Sequence, residues 1–119
     1  MTTQRQAIGA YGERLAARHL EERGLVILAR NWRCSDGEVD LILRDGDCVV
    51  FCEVKTRRTA TFGPPAGAID ARKVRKLRGL AVRWLTETGT RAPQVRFDVV
   101  EVFPQPRGAS RVVHLRAAF

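Results

Sequence analysis

Two apolar runs in the first half of the chain, Gly37-Glu38-Val39-Asp40-Leu41-Ile42-Leu43 and Val49-Val50-Phe51-Cys52-Glu53-Val54-Lys55-Thr56-Arg57, are joined by Arg44-Asp45-Gly46-Asp47. Asp-Gly between apolar runs is a strong hairpin signal, so any fold for this chain must contain an antiparallel strand pair here. Both runs carry carboxylates where neutral residues are expected. Because strand side chains alternate faces, Glu38, Asp40 and Ile42 share one parity, and Phe51, Glu53, Lys55 and Arg57 share another. A two-residue turn at Asp45-Gly46, or a four-residue loop over the same centre, sets Arg44 against Asp47, Asp40 against Phe51 and Glu38 against Glu53. Three carboxylates and a lysine then crowd one face.

Like charges directly opposite on a sheet cost up to about 1 kcal/mol. A cation between Glu38, Asp40 and Glu53 relieves that repulsion, and hard carboxylate oxygens with no Cys or His nearby suit Mg²⁺ or Mn²⁺. Lys55 adds a second argument. The chain has 21 Lys plus Arg, yet lysine occurs only at Lys55, Lys73 and Lys76. Where charge alone is needed this sequence uses arginine; lysine differs as a compact charge that can orient or deprotonate a water. The plainer alternative for Glu53 and Lys55 is a surface ion pair on the wet face of a sheet.

At 119 residues with 45% hydrophobic content, one globular domain spanning 1–119 is expected. A formal net charge of +8 points to a polyanionic partner, with nucleic acid first and an anionic membrane surface a weaker alternative. No secretory segment or membrane span is recognisable, and Cys34, Cys48 and Cys52 lack metal-ligand spacing. Reduced, structural cysteines and a cytoplasmic location are the expectation.

Periodicity predicts a helix from about Gln4 to Arg23 with Gly24 as its C-terminal cap, then strands at Leu25 to Trp32 and across the hairpin. Glu13 sits on the edge of the apolar stripe of that first helix, beside Gly9 and Ala16. It is either drawn toward the carboxylates by a close helix approach or an ordinary solvated glutamate. Arg58 to Gly67 reads as a loop, either a flap over the site or a connector. A second helix runs from an Asp70 N-cap to Gly89, with Val74, Leu77, Ala81, Trp84 and Leu85 as its apolar face. Its first turns carry Arg72, Lys73, Arg75, Lys76 and Arg78, cations at the positive end of the helix dipole, which suggests phosphate binding. Gln94 to Phe103 and Arg111 to Arg116 read as strands, with His114 structural. The sum is a mixed α/β sandwich with a central sheet flanked by helices.

Gly12-Glu13 with Ala16 and Leu20, Asn31, Gly37-Glu38-Val39-Asp40-Leu41-Ile42, Phe51-Cys52-Glu53-Val54-Lys55-Thr56-Arg57, Phe62-Gly63-Pro64, Lys73, Arg96-Phe97-Asp98-Val99 and Ala118-Phe119 resemble the bacterial YraN family along nearly the whole chain. That family is similar to archaeal Holliday junction resolvases and to the PD-(D/E)XK, restriction-endonuclease-like nucleases. The resemblance implies the order helix, three strands, helix, two strands, and Mg²⁺-dependent (or Mn²⁺-dependent) phosphodiester hydrolysis. It further implies Glu13, Asp40, Glu53 and Lys55 as catalytic residues. Asp40, Glu53, Glu13 and the Val54 carbonyl would be metal ligands, with Glu38 as an alternative ligand. The residue before the first acid pair is Gly37, with Glu38 two residues before Asp40 and no proline immediately before it, a departure from the literal superfamily motif that agrees with the family. Arg57, Arg72, Lys73 and Arg75 would track a phosphate backbone. DNA, branched or structured, is the expected partner; a homodimer stays open, and no membrane is expected. The rivals are a nucleic-acid-binding module that does not cut and an interaction subunit with a structural ion.

Overall fold

The first helix begins where its sequence can satisfy its own free amides. The Thr3 hydroxyl accepts from the Gln6 N–H at 3.1 Å while the Gln6 side chain accepts from the Thr3 N–H at 2.9 Å, a reciprocal capping box. It ends before Gly24, whose φ of +91° no other residue type adopts as cheaply. In the computed structural model, which describes residues 3–57 and 71–119, the elements are α1 (Gln4–Glu22), β1 (Val26–Cys34), β2 (Gly37–Asp45), β3 (Cys48–Thr56), α2 (Ala71–Thr88), β4 (Gln94–Phe103) and β5 (Arg111–Leu115). This is the order expected from the sequence. The loop from Arg58 to Gly67 and the Asp70 cap lie outside the described residues.

The five strands form one mixed sheet in the order β1-β2-β3-β4-β5, antiparallel except for the β3–β4 pair, which is parallel. A parallel neighbour needs a crossover, and α2 lies within it. The two helices cover opposite faces. Ala16, Ala17 and Leu20 of α1 pack with Leu41, Leu43, Val50, Cys52, Val100 and Val102. Leu77, Leu80, Ala81 and Trp84 of α2 pack with Val39, Ile42, Val49 and Phe51. Of the expected apolar face of α2, Val74 and Leu85 are only partly buried and Leu80 is buried in addition. Buried on both faces, the first half of β3 has no need of polar alternation, which explains its unbroken apolar run.

The hairpin register differs from the expected one. Asp45 pairs with Cys48 and Leu41 with Cys52, so the turn is Gly46-Asp47 and not Asp45-Gly46. Gly46, at φ +60°, supplies the left-handed first turn residue that a two-residue hairpin requires. The shift is two residues, which preserves which face each side chain takes but changes its opposite number. One step beyond the last pair, Asp40 and not Glu38 comes level with Glu53.

α1 approaches the far end of β3 at Gly12 rather than at Gly9. A Cβ built on Gly12 would lie 1.8 Å from the Thr56 hydroxyl oxygen, whereas one on Gly9 or Gly79 would meet nothing within 4 Å. Gly→Ala inside a helix ordinarily stabilises by about 1 kcal/mol. Gly79→Ala should follow that rule, but Gly12→Ala should instead lose about 1–2 kcal/mol through overpacking. Urea unfolding of the two variants checks the opposite signs.

Candidate functional site

The regular β2–β3 ladder stops at Leu41 and Cys52, and a side chain takes over there: the Val54 N–H donates to Asp40 Oδ2 at 2.8 Å. Strand alternation is interrupted at the same place. Val39 and Ile42 both pack on the α2 side, while Leu41 and Leu43 pack on the α1 side. The carboxylate is thereby fixed at the point where the two strands part. Next to it a cleft of about 400 Å³ opens between the strand ends and the start of α2, and Glu38, Asp40, Glu53, Val54, Lys73 and Lys76 are among the residues lining it.

Glu53 is the most constrained group in the cleft. Its Oε1 accepts from Lys73 Nζ at 2.6 Å and lies 3.2 Å from Lys55 Nζ, and its Oε2 is buried with no hydrogen-bond partner among the described residues. Burial opposes the charge on Lys73, but the hydrogen bond and attraction from Glu53 outweigh it and hold the ammonium above its ordinary pKa. At Asp40 the surroundings favour the neutral form, where at Lys73 they favour the charged one. Burial raises its pKa, the Val54 N–H works against that rise, and Glu13, Glu53 and Glu38 add to it, bringing the carboxyl to about 6. A carboxyl perturbed in this way inside a cleft is a common feature of functional sites.

The other residues singled out from the sequence are distributed as follows. Glu13, half-buried on α1, exerts the largest effect of the three neighbouring acids on Asp40, yet it lines a separate cavity of about 240 Å³ with Arg14, Arg30, Asn31 and Leu41. Asn31, level with Asp40 across the β1–β2 register, has a left-handed backbone at φ +50°. Glu38 is exposed and paired with Arg33 at 3.0 Å on the neighbouring strand, and its effect on Asp40 is the smallest of the three. Arg57 pairs with Glu101 through its Nε, and its own N–H donates to the Val102 carbonyl at 2.8 Å. Arg72 and Arg75 are exposed on α2, whereas Lys73 turns into the cleft. Among the described residues no three or more His, Cys, Asp or Glu side chains are gathered closely enough to hold a metal. The donor set nevertheless fits a hard divalent cation held by two acids. Mg²⁺ commonly takes one or two carboxylates and completes its shell with water and phosphate oxygens, and Glu53 Oε2 is a buried oxygen without a partner among the described residues.

Two features escaped the sequence. Lys76 lines the cleft, a role hinted at only by the scarcity of lysine. Asp98, fully buried, is gripped by Arg96 Nε and Nη2 at 2.9 and 3.0 Å, lies 2.7 Å from His114 Nε2, and accepts from the Ala117 N–H at 2.9 Å. Arg96 Nη1 also reaches Asp45 Oδ2 at 3.0 Å. His114 is therefore a member of a buried ionic network, which gives its structural role a specific cause. The network stands beside Cys52 in the β3–β4 register, one residue from Glu53.

A family model described as uncharacterised protein family UPF0102 matches residues 12–102. The chain is 54% identical over 112 residues to a UPF0102 protein of Beutenbergia cavernae, covering 94% of this chain and 95% of that protein. It is 52% identical over 112 residues to a UPF0102 protein of Nocardioides sp., covering 94% and 90%. A UPF0102 protein of Parafrankia sp. is 51% identical over 114 residues, covering 96% and 97%.

Proposed function

The chain belongs to the UPF0102 family, the family its sequence resembles under the name YraN, and we propose that its cleft is the active site of a divalent-metal-dependent, structure-selective DNA endonuclease. One observation carries this reading: Asp40 and Glu53 stand where two adjacent strands part at one cleft, with a buried Glu53 oxygen that has no hydrogen-bond partner among the described residues and lysine ammonium groups beside it. When bound, Mg²⁺ or Mn²⁺ supplies charge neutralisation of the scissile phosphate and a lowered pKa for the attacking water. Asp40 and Glu53 hold the cation, with the Val54 carbonyl and Glu13 as further donors. Lys55, two residues after Glu53 on the same strand, orients the attacking water or steadies the charge that develops as the P–O bond breaks. Arg72 and Arg75, exposed on α2, hold the phosphate backbone without reading sequence, as the chain's charge of +8 favours. Glu38, already paired with Arg33, is at most an alternative ligand.

A second reading, a nucleic-acid-binding module on the same fold that does not cut, is favoured by the way Lys55 and Lys73 already neutralise Glu53. Metal binding separates the two. Mn²⁺ at a hundred times its dissociation constant should stabilise the chain by about 2.7 kcal/mol, and Asp40→Asn with Glu53→Gln should abolish that gain. Because metal binding needs the ionised form of Asp40, the gain should shrink as the pH falls below about 6. Thermal melts with and without Mn²⁺ check both expectations, and an unchanged gain in the double variant would move the metal elsewhere.

A further inference from the structure

Lysine occurs at only three positions in this chain: two of them line the cleft and the third contacts Glu53, which lines it. Lys55 and Lys73 share Glu53 Oε1, and Lys73 and Lys76 line the opening. Arginine carries the remaining positive charge everywhere else. The two residue types differ in a way that matters at a carboxylate. A guanidinium grips both oxygens as a planar fork, while an ammonium is a point charge on a flexible stem that can release one oxygen without rearranging the other. Lys55 and Lys73 also differ from each other. Lys55 is on β3, the strand that carries Glu53, so its distance to the carboxylate is set by the strand. Lys73 comes from the first turn of α2, with four methylenes of reach, and its side chain can leave Glu53 without moving β3.

We infer that Lys73 is a stand-in cation: its ammonium occupies Glu53 Oε1 until a divalent metal takes that oxygen, and is then released toward Arg72 and Arg75 to meet a phosphate. This inference rests on the proposed metal site and deepens it, because it makes Lys73 a positioning residue that couples metal loading to phosphate engagement. It also accounts for a lysine, not an arginine, at position 73, between Arg72 and Arg75. The 2.6 Å contact is charge-assisted and made by a half-exposed side chain, so it is strong enough to compete with a metal and weak enough to be displaced.

The test is Mn²⁺ binding by calorimetry, without DNA, to the full chain, to Lys73→Gln and to Lys73→Arg. Removing the charge-assisted hydrogen bond that Lys73 makes to Glu53 should tighten Mn²⁺ binding in Lys73→Gln by about threefold to tenfold. Lys73→Arg, which keeps the charge and holds the carboxylate more firmly, should bind Mn²⁺ no better than the native chain. A purely supporting role for Lys73 predicts the reverse: weaker binding for the glutamine variant and native affinity for the arginine. A direct signature comes from selective labelling, since three lysines give three side-chain resonances. Mg²⁺ should shift the Lys73 signal more than that of Lys76. If the native chain binds Mn²⁺ and Lys73→Gln binds it no tighter, displacement is wrong while the metal site stands. If neither binds Mn²⁺, the metal reading falls and displacement falls with it.

Discussion

Asp98→Ala is expected to lower the unfolding free energy by about 3–5 kcal/mol, the loss that follows when one partner of a buried ionic network is removed. Arg96 would be left with Asp45 alone, His114 would keep its desolvated position with no carboxylate to face, and the Ala117 N–H would lose its acceptor. Domains of this size have only about 5–15 kcal/mol in total, so the variant should lose a fifth or more of its stability and melt at a clearly lower temperature. Asp98→Asn keeps the shape and should lose less. The pH dependence has a defined sign. Burial alone would raise the Asp98 pKa, but hydrogen bonds from His114, Arg96 and the Ala117 N–H outweigh it and depress the pKa to about 2. Stability from a depressed acid is fully present above its unfolded value of 3.8 and is lost as the pH falls toward 2. Urea unfolding at pH 7, 4 and 2.5 should show this loss in the native chain and a smaller one in Asp98→Asn.

Lys55→Ala is expected to reduce cleavage by at least about 100-fold while leaving Mn²⁺ affinity and DNA affinity near native, because the proposed role of Lys55 is confined to the reaction step. The side chain is half-exposed and its contact with Glu53 is the longer of the two made by lysines, so truncation should leave the fold intact. Single-turnover rates beside equilibrium binding separate the two effects. A variant that binds DNA tenfold more weakly and cuts at the native rate once saturated would make Lys55 a phosphate contact.

The elements were legible because their signals are local. Thr3 and Gln6 cap α1, Gly24 ends it, and the apolar face of α2 has helical spacing. The carboxylates were legible as anomalies in apolar strands. What the sequence left open was their partnership. Gly46 stands between two aspartates, so the left-handed turn residue can be first or second in a two-residue loop, and both choices put the same faces inward. Only the pairing of Asp45 with Cys48 brings Asp40, in place of Glu38, to Glu53. The interruption at Asp40 was equally hidden, since it depends on a side-chain oxygen replacing a strand carbonyl at Val54. Asp98 and His114 lie on different strands, and their contact exists only because β4 and β5 pair. Lys73 read as one cation in a basic helix start; its place in the cleft follows from how α2 docks on the sheet, which helical periodicity fixes in rotation but not in position along the strands. No helix among the described residues is long and apolar enough to cross a membrane.

The most direct measurement is incubation of the purified chain with duplex, flap, fork and four-way DNA in Mg²⁺ and in Mn²⁺, beside Asp40→Asn. The account predicts metal-dependent cleavage, greatest on branched DNA, and its loss by at least about 100-fold in the variant. No cleavage of any substrate with either metal, or equal cleavage by Asp40→Asn, would contradict it.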